Sequence, residues 1–489
     1  MTEPAREAAA SPSTLGLMAP AVHVREVAAQ AIGDIAQILA RASATIAPML
    51  TETLLMPPSR PPGLAAVAGE FATPQPPPAE LGRYQLVTAP EEKIEDLATE
   101  LNAHRLVEAA YVTPPLLPAA APPRMAAVGN RAHAMMLPAA PPPAPGTATP
   151  DFSAMQGYLN ASPDGVDARW AWSQPGGRGD GVSIIDIEGG WCFDHEDLQH
   201  SVDGLVGGTA LSDPLWRDHG TAVLSEIVGD DNGMGVIGIA PNARVAAISH
   251  SGESTPVKAI VAATKRLRPG DIMLLETQQA GPRFNFTLRD DQRGYIPVEW
   301  IDVTYRAVAY AVSQGIIVVS AGANGGENLD DPIYSLRPSS GPVTFPGDWV
   351  NPFDRTRRDS GSIIVGAGAP PSTAFGPDRA RMGFSNFGAA VDTQGWGEEV
   401  VAGGYGFLQG GAEERRYTAT FGGTSGASPM VVGALAAVQG IRKAMGRAPL
   451  TPAQARNLLR ATGAPQRGNT TERIGTRPDI KQMVASMPA

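Results

Sequence analysis

From about residue 151 the chain alternates short, continuously apolar runs with stretches of helical spacing, and few architectures accept that pattern. The runs are VSIID (182–186), RVAAIS (244–249), DIMLLE (271–276), GIIVVSAG (315–322) and SIIVGAG (362–368). Helical patterns lie between them, near 219–229, 256–267, 299–313 and 425–444. A strand that is apolar on both faces must be covered on both faces. Alternation with helices therefore predicts an α/β fold, a mostly parallel, doubly wound sheet with helices on both sides. At 43% hydrophobic and 18% charged residues, the chain can fill such a core. Ligands of these sheets bind beyond the carboxyl ends of the strands, so the residues just after each strand are the ones to inspect.

The first third is punctuated by proline and glycine. Residues 1–56 are expected to form an N-terminal helical segment, because Val24, Val27, Ile32, Ile35 and Leu39 share one broad face over 22–47. Residues 57–80 read as a Pro-rich connector. A small α+β unit is expected over 81–115, with RYQLVTA and LVEAAYV as strands and a helix opened by Pro90 between them. Residues 116–150 are dense in Pro and Ala and read as a semi-rigid linker, with 151–489 as the main domain.

The formal net charge of −11 comes with no basic stripe, so nucleic acid is not an expected partner. The single cysteine, Cys192, excludes an intramolecular disulfide and any multi-cysteine zinc site. No stretch approaches the roughly 20 apolar residues needed to span a bilayer. The N-terminus shows no signal-peptide core, which favours a cytoplasmic location, although a non-standard export route would leave no trace.

Four polar residues fall at predicted strand ends or helix starts. Asp186 closes the VSIID run, His219 lies in DHGTAV, Asn324 lies in AGANGG after GIIVVS, and Ser425 opens a helix in GGTSGASP. Each has a plain reading: Asp186 as a turn cap, His219 as a surface residue, Asn324 as a left-handed turn residue and Ser425 as a helix cap. Together they supply the parts of acyl transfer. Ser425 needs a base to become nucleophilic, and His219 can be that base. Asp186 would hold the imidazole, while Asn324 and the Ser425 N–H would bind the oxyanion.

The order Asp…His…Ser, with VSIIDIEGGW, HGTAV, GVIGIAPNARV, SAGANGG, FSNFG (384–388) and GTSGASP, resembles the subtilisin-like serine proteases, the subtilases. The resemblance covers about 165–463. It implies a serine endopeptidase with catalytic Asp186, His219 and Ser425 and an oxyanion hole at Asn324. It also gives the 81–115 unit a role as a propeptide, an intramolecular inhibitor and folding aid, with self-cleavage expected within 116–150. Substrate would be a protein or peptide, bound along Leu275, Glu276, Thr277, Gln278, Ala321 and Gly322. No cofactor is required by this chemistry. Structural calcium is common in such proteins, but no complete ligand set is readable at Asp230, Asp231 and Asn232. The rival readings are a catalytically silent binding protein on the same fold, and an esterase or peptide ligase using the same nucleophile.

Several residues depart from the pattern. Glu188 lies two residues after Asp186 and points the same way if the strand continues, where it would perturb His219. Ala323 precedes Asn324 and is costly there if a positive φ is required. Glu276 stands near the expected S1 region, where it would favour a basic P1 residue, unless it is solvated or paired with an arginine. The stretch 279–298 looks like an inserted loop that would wall the cleft.

Overall fold

The computed structural model describes residues 21–26, 31–56, 75–119, 148–252 and 254–488. The main domain is built on a seven-stranded sheet in which every pair is parallel. Its order is β16-β15-β12-β9-β6-β8-β7. The strands are β6 (Ser183–Glu188), β7 (Val202–Gly207), β8 (Arg244–Ser249), β9 (Ile272–Leu275), β12 (Ile317–Ala321), β15 (Ile363–Gly368) and β16 (Val391–Trp396). The five apolar runs of the sequence all lie in this sheet. The two edge strands, β7 and β16, carry no apolar run. β16 reads Val-Asp-Thr-Gln-Gly-Trp and is nonetheless fully buried, with the Asp392 carboxylate taken by Arg355 and Arg460.

Helices α3 (Pro214–Val228), α4 (Pro256–Arg266), α5 (Asp302–Ser313) and α6 (Thr424–Ala444) fall where the helical patterns predict them. α6 is buried along nearly its whole length, which is why its sequence is apolar or small all round. Two large clusters of buried side chains cover the two faces of the sheet. Among the described residues no helix is long and apolar enough to cross a membrane.

The N-terminal region departs from expectation. Residues 22–47 are not one helix. They form β1 (Ala21–Glu26), α1 (Ala31–Arg41) and β2 (Thr45–Pro48), with Val27 outside the described residues. β1 pairs antiparallel with β3 (Tyr84–Thr88) and with β4 (Val107–Thr113), and β2 pairs with β3. α2 (Ile94–Asn102) packs on this sheet. The small module thus reaches back to residue 21. Val22 and Val24 fit strand alternation, and both lie in the module core with Ile35, Leu39, Leu97 and Leu101.

The module docks by continuing its sheet into the main domain. A hairpin, β13 (Ser339–Ser340) and β14 (Val343–Thr344), pairs with β4 through Val343 and Tyr111. Tyr84 donates to Asp302 at 2.6 Å, Arg25 meets Asp348 at 2.8 Å, and Tyr111 packs edge-on against Phe345.

Candidate active site

β6 stays extended through Glu188, so Asp186 and Glu188 project to one side of the sheet, both fully buried. The two acids have different partners. His219 Nδ1 lies 2.6 Å from Glu188 Oε2. Asp186 Oδ2 accepts a hydrogen bond from Trp191 Nε1 at 2.8 Å. The acid bonded to the imidazole is therefore Glu188, and Asp186 bonds the Trp191 indole instead. The longer side chain reaches α3 from the end of β6, while the Trp191 indole ties down the shorter one. Gly220 makes room for this arrangement, since a Cβ there would stand 1.9 Å from Glu188 Oε1.

His219 is wholly buried, with Phe421 edge-on at 5.7 Å. Burial pushes its imidazole down to about 3, with the nearby Asp186 opposing. Burial pushes Glu188 well above the usual carboxylate range, and does the same to Asp186 with Glu188 adding to it. The neutral imidazole is thus the favoured form. Among the described residues neither His219 Nε2 nor Ser425 Oγ makes a well-formed hydrogen bond, although the Ser425 side chain lies beside the Glu276 carboxyl. Buried polar groups without partners are uncommon and call for an explanation.

Ser425 is the second residue of α6, behind Gly423 at φ +85°. Its backbone N–H donates to the carbonyl oxygen of Ala119 at 3.1 Å. Asn324 Nδ2 donates to the same oxygen at 2.7 Å. Asn324 is held in turn: its Oδ1 accepts from the Thr424 N–H at 2.9 Å, and its own N–H donates to Gln278 Oε1 at 2.8 Å. Ala323 has φ +68°, the left-handed conformation that an L-side chain resists. Asn386, from the FSNFG motif, donates to the Gly322 carbonyl at 2.9 Å and accepts from the Glu327 N–H at 2.8 Å. It clamps this loop from behind.

Ala119 belongs to a seated segment. β5 (Leu117–Pro118) pairs antiparallel with β10 (Thr277–Ala280), Thr277 facing Pro118 and Gln278 facing Leu117. β11 (Tyr295–Pro297) adds on the other side of β10, so the 279–298 stretch returns as a strand beside the cleft. Gln278 Nε2 donates to the Pro118 carbonyl at 2.9 Å and to Gln292 Oε1 at 2.7 Å. The boundary expected at 115/116 therefore moves, because Leu116 through Ala119 belong to the module's docked tail.

The other expected substrate-binding residues separate. Thr277 and Gln278 touch the segment. Leu275 is buried in the core beneath it, and Ala321 lies within β12. Gly322 contributes its carbonyl to the Asn386 clamp. Glu276 is neither solvated nor paired with an arginine, and it does not line the cleft as a free charge. It is fully buried, 3.2 Å from the Ser428 hydroxyl. Burial, with Asp186 and Glu188 adding to it, pushes its carboxyl well above the ordinary range. Cys192 is buried and its thiol is pushed up to about 11 by burial, which disfavours the nucleophilic thiolate. Asp197 serves the loop that follows α3, accepting from Asn232 Nδ2 and the Val236 N–H. Among the described residues no cluster of three or more His, Cys, Asp or Glu side chains could hold a metal ion.

The sequence profile of the Subtilase family matches residues 181–476. The chain belongs to the subtilase family. This subtilase is 26% identical over 300 residues to an intracellular serine protease of Paenibacillus polymyxa, covering 58% of this chain and 75% of that one. It is 26% identical over 295 residues to subtilisin DY of Bacillus licheniformis, covering 59% and 85%. Among solved structures, fervidolysin from Fervidobacterium pennivorans superimposes with a TM-score of 0.54 at 14% identity, over 97% of this chain and 62% of that one. The epidermin leader peptide processing protease of Staphylococcus aureus gives 0.53 at 16% identity, over 96% and 99%. These matches make the subtilase a serine peptidase by family, acting on protein or peptide.

Proposed function

We propose that the protein is a serine endopeptidase whose nucleophile is Ser425, whose base is His219 and whose imidazole partner is Glu188. The observation that carries this reading is the Ala119 carbonyl, which receives the Asn324 amide and the Ser425 N–H together, as a scissile carbonyl would.

In the reaction, Ser425 Oγ attacks the carbonyl carbon as His219 Nε2 takes its proton. The Nδ1–H of the resulting imidazolium is held by Glu188, which stabilises the charge and fixes the tautomer. Negative charge develops on an oxygen already bonded to two donors that need no rearrangement. His219 then protonates the leaving amine, and water, deprotonated by His219, resolves the acyl-enzyme. Asp186, held by Trp191, acts on the imidazole only through its field. The module of residues 21–119 serves as an intramolecular inhibitor, since its tail fills the acyl side of the cleft. The Ala119–Ala120 bond is the first bond cut.

Intact mass spectrometry of wild type and Ser425→Ala, each with and without a fluorophosphonate, tests the reading. Probe mass and a break after Ala119 are expected in the wild type only. A wild type that neither labels nor hydrolyses peptide defeats it.

A further inference from the structure

The segment seated in the cleft carries a sequence, and that sequence returns once. Leu116, Pro118 and Ala119 are buried and Leu117 is half-buried, so alternate side chains are read. Leu116 joins the apolar cluster that includes Ile296, Val298 and Ile301. Pro118 offers no N–H, and its carbonyl is taken by the Gln278 side chain. Ala119 is 0% exposed, with its carbonyl between the two oxyanion donors.

Leu-Pro occurs twice in the chain, at 117–118 and 137–138, and both times Ala-Ala follows. A large apolar residue precedes each, Leu116 and Met136. Methionine is unbranched and adaptable, and it fits an apolar pocket that takes leucine. The same five-residue register therefore stands at 116–120 and at 136–140.

We propose that the cleft selects peptides with a large apolar residue, then Leu, Pro and Ala, on the acyl side of the scissile bond, and that the chain's own Met136–Ala140 run is a second substrate, cut between Ala139 and Ala140. This rests on the peptidase reading above. Ser425 Oγ bonds to the Ala139 carbonyl carbon and gives its proton to His219. The Ala139–Ala140 C–N bond breaks, and the Ala140 amine leaves with that proton. Water then splits the ester, yielding the Ala139 carboxylate and free serine. The 116–119 segment already occupies the cleft, so the second cut follows the first. The two cuts release residues 120–139 and leave a catalytic chain that begins at Ala140.

The test uses full-length Ser425→Ala as substrate for a catalytic amount of wild type, read by intact mass. A fragment ending at Ala139 and one beginning at Ala140 are expected, while the bond after Ala119, seated in the substrate chain's own cleft, stays whole. Met136→Asp and Ala139→Asp in the substrate chain should abolish the cut after Ala139. Acetyl-Met-Leu-Pro-Ala-p-nitroanilide should be favoured in kcat/KM about tenfold or more over the same peptide with Asp for Met, because a charge is costly in that apolar pocket. If the wild type labels with fluorophosphonate and digests casein but leaves 136–140 whole, or does not favour the Met peptide, the proposal is overturned while the peptidase reading stands. If it neither labels nor digests casein, both fall.

Discussion

Glu188 and Asp186 lie two residues apart on one strand, and only one of them touches the imidazole. Glu188→Gln should lower kcat about 10²–10⁴-fold, the range expected when the imidazole loses its orienting acid. Asp186→Asn should lower it less, because the indole bond survives. Equal losses in steady-state peptide hydrolysis would refute the assignment. The pH profile belongs to the same residue scale. His219 must be unprotonated to act as base, and burial in the occupied cleft holds it near 3. Activity is then lost as pH falls through that lowered value. The acid limb of kcat, which reports the substrate-bound enzyme, should lie well below 6.5; a limb at or above 6.5 would contradict this. Glu276 gives a test of stability. Its carboxyl is raised in the folded chain, so its contribution is full below about 4.5 and is lost as pH rises. In a Ser425→Ala background, Glu276→Gln should raise Tm more at pH 8 than at pH 5. A uniform shift would mean that the acid is not held neutral by burial.

At the scale of elements, the Asn324 loop after β12 is held from two sides against a strained Ala323. Gln278 bonds the Asn324 N–H in front, and Asn386 bonds the Gly322 carbonyl behind. Ala323→Gly should relieve about 1 kcal/mol of left-handed strain and raise Tm. Gln278→Leu should lower kcat and raise KM together, because one side chain serves both the loop and the Pro118 carbonyl. A change confined to KM would separate those two tasks. The same elements explain what could be read without coordinates. Strands buried on both faces announce themselves as apolar runs, so β6, β8, β9, β12 and β15 are legible in the sequence; of the candidate residues, Asn324 follows β12, while His219 lies within α3 and Ser425 opens α6. β16 is not legible, since Asp392, Thr393 and Gln394 are buried by virtue of partners distant in the chain, Arg355, Arg460 and Thr476 among them. Nor is the helix–strand division of 22–47, where Val24 fits a strand with Val22 and a helix with Val27. Glu188 could be flagged but not assigned, because strand geometry gives two acids the same direction and only their length and the Trp191 indole decide between them. The fit of Ala119 into the oxyanion donors is a consequence of docking, which no local pattern encodes.

For the whole molecule, the module and the main domain share one six-stranded sheet, β13-β14-β4-β1-β3-β2. Tyr84→Phe removes the buried bond to Asp302 and should weaken module binding by roughly 1–3 kcal/mol, since a buried carboxylate is left with fewer donors. The measurement is inhibition of the catalytic chain by the cut module, and an unchanged inhibition constant would show that Tyr84 does not anchor it. The proposed hydrolysis after Ala119 would break one covalent link and leave both the Val343–Tyr111 pairing and the Arg25–Asp348 ion pair in place. Two clocks then run in series, a chemical one that nicks the chain and a mechanical one that peels β4 from its hairpin. The second sets the delay between a processed molecule and a working one, and it leaves behind a bare strand edge at 343–344 open to any extended peptide.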